Sequence, residues 1–60
     1  MKTISIELTE EQAIAYSQYL KRISFSNYRD LSQTEEEAYL AQEAGEAVRS
    51  SLAQNGYNPR

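Results

Sequence analysis

Sixty residues make one small domain, near the size at which a single core is only marginally stable, and the sequence holds neither cysteine nor histidine. Disulfides, thiolate chemistry, the usual zinc ligand sets and histidine-based acid or base catalysis are thereby excluded. Nine acidic against six basic residues leave a net charge of -3, the wrong sign for a protein whose whole surface attracts nucleic acid.

The chain opens on strict alternation over residues 3–8. Ile4, Ile6 and Leu8 share one side, and Thr3, Ser5 and Glu7 the other. This period predicts a half-buried β-strand. Its pairing partner is expected to be residues 24–28, the tail from Tyr57, a second copy of the chain or another protein's sheet edge. No apolar run approaches the ~20 residues of a membrane span, and Met1-Lys2 leads into the strand pattern without a signal-peptide core, so a cytoplasmic location is expected.

Thr9 followed by Gln12 is a capping box, with Leu8 placed to staple against Ala13. The helix it opens is expected over residues 10–22, with Ala13, Tyr16, Tyr19, Leu20 and Ile23 along one side and Ile14 off it. Lys21 and Arg22 fall in the last turn, where cations suit the helix dipole. Residues 24–33 are rich in serine and asparagine, yet Phe25, Tyr28 and Leu31 stand three apart. That spacing predicts one helical turn near residues 27–31, with Ser26 as its cap.

Thr34 and Glu37 form a further capping box, and Asn55-Gly56 is a left-handed stop beyond which Tyr57 can fold back onto Leu52. A long helix over residues 35–55 follows. Projection at about 100° per residue puts Leu40, Ala41, Ala44, Val48, Ser51 and Leu52 on the side expected to be buried. The opposite side carries Glu35, Glu36, Tyr39, Glu43, Glu46 and Ser50, four carboxylates around one aromatic ring. Such a strip is either a solvated face or a contact surface for a basic partner with Tyr39 as its anchor. The expected core is Ile4, Ile6, Leu8, Ala13, Tyr16, Leu20, Ile23, Phe25, Leu31, Leu40, Ala44, Val48 and Leu52.

The fold class expected is therefore mainly α (α+β): one N-terminal β-strand, then two main helices with a short helical turn between them, in a single domain over residues 1–60. Catalysis is not expected. The glutamates sit on exposed helix faces without a histidine or a burying pocket, and the serines lack a base. Neither a metal nor a cofactor is expected.

The order strand, capped helix, link, helix resembles the ribbon-helix-helix DNA-binding proteins, with residues 2–20 carrying the likeness. That resemblance implies a homodimer through the N-terminal strand, with Thr3, Ser5 and Glu7 facing the groove of DNA and Lys2 nearby. Glu7, the run Glu35-Glu36-Glu37 and the long link depart from the family pattern. In size and charge the chain also resembles the small acidic anti-CRISPR proteins of phages and mobile elements, some of which present carboxylates where phosphates would lie. This second resemblance implies an inhibitor that sets Glu35, Glu36, Tyr39, Glu43 and Glu46 against a protein partner with a basic nucleic-acid-binding surface. Direct nucleic-acid binding and membrane association are then not expected.

Overall fold

The computed structural model describes residues 1–58. It contains three helices: α1 over Glu10–Arg22, α2 over Phe25–Leu31 and α3 over Glu35–Gln54. Helices α1 and α2 each pack on α3 and not on one another. The expected strand is absent. Residues 1–9 run without regular structure, all exposed, and among the described residues no backbone–backbone hydrogen bond involves residues 1–8. The physical reason lies in the rest of the chain. A strand exists only by pairing, and both intrachain candidates are engaged otherwise, residues 25–28 in α2 and Tyr57 in the cap of α3. The fold class is corrected accordingly to all-helical.

Local signals fix the helix ends. The Thr9 hydroxyl accepts from the Gln12 amide at 3.1 Å, while the Thr9 amide donates to Gln12 Oε1 at 2.9 Å, so both halves of the box form. Helix α2 begins two residues earlier than expected, because Asn27 Oδ1 accepts from both the amide and the hydroxyl of Ser24 at 2.9 Å. The cap is Ser24 and not Ser26. At α3, the Thr34 hydroxyl accepts from the Glu37 amide at 3.1 Å. The far end closes as a Schellman motif: the Tyr57 amide donates to Leu52 O at 2.9 Å and the Gly56 amide to Ala53 O at 3.0 Å. Gly56 takes φ 95°, the left-handed conformation this motif needs.

The core is small. Ala13, Leu20 and Leu52 form its buried apolar cluster, with Ile23 and Tyr57 packed against it, and Ala38 is buried apart from them. Ser17 is also buried, and its hydroxyl is satisfied by Ile14 O at 2.8 Å. Much of the expected core lies outside: Ile4, Ile6, Leu8, Tyr16, Leu31, Leu40 and Val48 are exposed, and so is Ala44.

On α3 the inner stripe is Ala38, Ala41, Gln42, Gly45, Arg49, Leu52 and Ala53, each buried or half-buried. At about 100° per residue, this stripe is turned roughly 100° from the expected one. Small residues explain the turn. A Cβ at Gly45 would overlap the Tyr28 hydroxyl, so the glycine is what lets α2 approach. Ala38 is completely covered on the same side.

Candidate protein-binding surface

With that inner stripe as reference, the sides of α3 separate by chemistry. Glu35, Glu36, Tyr39, Glu43 and Glu46 remain together on one flank, as the sequence implies, and every one of them is exposed. Among the described residues none of these carboxylates lies within ion-pair distance of a cation. Arg49, the nearest cation in sequence on α3, is half-buried in the inner stripe. The flank extends along a helix of 20 residues, about 30 Å at 1.5 Å per residue.

Tyr39 is not a free-standing ring. It stacks on Phe25 of α2 with centroids 4.6 Å apart and planes 29° apart, while staying 51% exposed. The stack fixes the ring beside the carboxylates and removes rotamer freedom that a partner would otherwise have to freeze. The sequence reading missed Phe25 as a support for Tyr39. Its period relative to Tyr28 was visible; which helix it would meet was not.

Next to this flank, Tyr28 packs over Gly45. Burial, reinforced by the negative potential of neighbours including Tyr16 and Glu46, holds its hydroxyl above the usual tyrosine pKa. The phenol stays neutral and adds nothing to the negative strip. Among the described residues, no cluster of three acidic residues is arranged to hold a metal.

The opposite flank of α3 is different. Leu40, Ala44, Val48 and Ser51 line it, all exposed. Val48 and Ser51 also form one wall of an open groove of about 980 Å³, whose other walls are α1, the α3 cap and the N-terminal segment. Ile4, Ile6 and Leu8 do share a side, as their alternation implies, and that side borders the groove. A smaller depression of about 480 Å³ lies between α1 and α2, with Arg22 and Asp30 in its lining.

Among the described residues, no helix is long and apolar enough to cross a membrane. No curated protein and no solved structure matches the chain. A family model matches residues 1–60, and the protein belongs to that family, the family of unknown function DUF7706.

Proposed function

We propose that the protein acts by binding, without catalysis, as a small acidic inhibitor of the anti-CRISPR or DNA-mimic kind. Helix α3 presents Glu35, Glu36, Glu43 and Glu46, with Tyr39 among them, to a basic nucleic-acid-binding surface of a protein partner. What supports this reading is the uncompensated strip: four carboxylates along one rigid rod, none within ion-pair distance of a cation among the described residues. Lysines and arginines arranged for a phosphate backbone find there a comparable row of negative charge. The buttressed Tyr39 adds a pre-ordered apolar contact of the type that dominates interface energetics.

Affinity capture from cell extract at graded salt tests the proposal. The wild-type chain is expected to retain basic proteins that added duplex DNA displaces and raised salt releases. Glu43→Lys combined with Glu46→Lys is expected to abolish that retention while leaving helix content unchanged, because both side chains are solvated. Retention that survives the double reversal, or that duplex DNA does not displace, refutes it. The DNA-binding alternative is addressed by a gel shift on random duplex at low salt. Salt-sensitive retention of the duplex by the purified chain would favour that alternative instead.

A further inference from the structure

We infer that a second copy of this chain covers the apolar face made by the N-terminal segment, α1 and the Leu40–Val48 flank of α3, giving a homodimer.

The single chain is too open for its mass. Its accessible surface is 5226 Å², whereas a compact monomer of 6.9 kDa exposes about 4,000 Å². The surplus of about 1,200 Å² exceeds the roughly 800 Å² per partner that a standard stable interface removes. Overall size agrees. The radius of gyration is 12.2 Å against about 10 Å for a compact 60-residue domain.

Much of the exposed apolar surface borders the groove, while Leu31 of α2, 85% exposed, stands apart from it. Ile4 is 81% exposed, Ile6 68% and Leu40 66%, and the groove is lined by Ile4, Ile6, Leu8, Tyr16, Tyr19 and Val48 among others. Apolar surface on this scale marks an association site.

Charge, together with the surplus area, favours a second copy as the occupant. Fifteen of the sixty residues are charged, yet among the described residues no charged side chain lines the groove. A chain of net charge -3 can meet its own copy only where its carboxylates stay apart. On α3 the strip of Glu35, Glu36, Glu43 and Glu46 lies on the far flank, so two copies can join by the apolar face without opposing those acids. A charged partner would instead need matching charges there, and the described lining offers none. The N-terminal segment, which makes no backbone–backbone hydrogen bond over residues 1–8 among the described residues, then lies between two copies and no longer in solvent. This inference is independent of the proposed function, which concerns the opposite flank.

Sedimentation equilibrium of the wild-type chain is the primary test. A mass twice 6.9 kDa is expected. Ile4→Asp combined with Ile6→Asp is expected to weaken self-association by at least about 100-fold, since each dimer would bury four carboxylates in place of four isoleucine side chains. Leu40→Lys, on a different element, should act in the same direction. Glu43→Lys combined with Glu46→Lys should leave the dimer intact whatever it does to partner capture. A wild-type chain that sediments at 6.9 kDa, a mass other than twofold, unchanged dimerisation of the isoleucine variant, or dissociation by the glutamate variant each overturns the inference.

Discussion

Replacing Gly56 by alanine probes the handedness of the helix stop and nothing else. A Cβ at this position meets no atom within 4 Å, so crowding is absent, but the backbone sits at φ 95°. An L-residue in the left-handed region costs about 1–2 kcal/mol. Against this, alanine restricts the unfolded chain, which returns about 0.4–1 kcal/mol. The net loss is about 1 kcal/mol. With an unfolding entropy of about 0.13 kcal/mol/K for sixty residues, the melting temperature should fall by about 8 °C. Thermal melts followed by far-ultraviolet dichroism, at one fixed protein concentration, read this shift. A 60-residue chain is accessible to chemical synthesis, so D-alanine can be placed at the same site. The D-residue prefers positive φ and still restricts the unfolded chain, so the protein with D-alanine in place of Gly56 should melt at or above the wild-type temperature. Equal losses for the L- and D-residues would refute the assignment of the cost to backbone handedness.

Two further outcomes follow from the meeting of α2 and α3. Gly45→Ala should destabilise by up to about 1 kcal/mol net: the new methyl group overlaps the Tyr28 hydroxyl, an overpacking cost of about 1–2 kcal/mol, and alanine's better helix propensity inside α3 returns about 0.5–1 kcal/mol. Adding Tyr28→Phe should restore part of that loss in urea melts, and a double variant no better than Gly45→Ala would exclude the hydroxyl as the obstacle. The raised pKa of Tyr28, due first to burial, fixes a pH dependence. The folded state holds this proton more tightly than the unfolded chain does. Stability from this group is therefore full below the ordinary tyrosine pKa near 10 and declines as pH rises above it. Urea midpoints taken upward from about pH 8 should show the decline, and Tyr28→Phe should make it shallower; an unchanged slope would contradict the assignment.

The helices were legible because their ends are local. Thr9-Gln12, Thr34 and Asn55-Gly56 act through hydrogen bonds within four or five residues, and α1 takes the predicted bounds. The acidic flank was legible too, since helical projection needs no partner to place Glu35, Glu36, Tyr39, Glu43 and Glu46 together. What failed depended on distant chain. Alternation of Ile4, Ile6 and Leu8 groups side chains on one side of an extended segment, but it cannot supply the neighbour a strand needs. On α3, helical projection favours the bulky residues Leu40 and Val48 as the inner face. The approach of α2 instead selected Ala38 and Gly45, where little side chain stands in the way. Two small residues seven apart, two helical turns, were the available signal for that contact.

The placement of the tyrosines gives the molecule its own optics. The chain has no tryptophan and five tyrosines, and Tyr16, Tyr19 and Tyr57 border the large groove. Tyr16 and Tyr19 lie nearly parallel, with centroids 5.7 Å apart and planes 10° apart. Three of the five sources of near-ultraviolet dichroism and phenol emission thus stand at this rim, where Tyr16 and Tyr19 are open to a quencher in solution. Whatever closes over them should register spectroscopically without any attached dye.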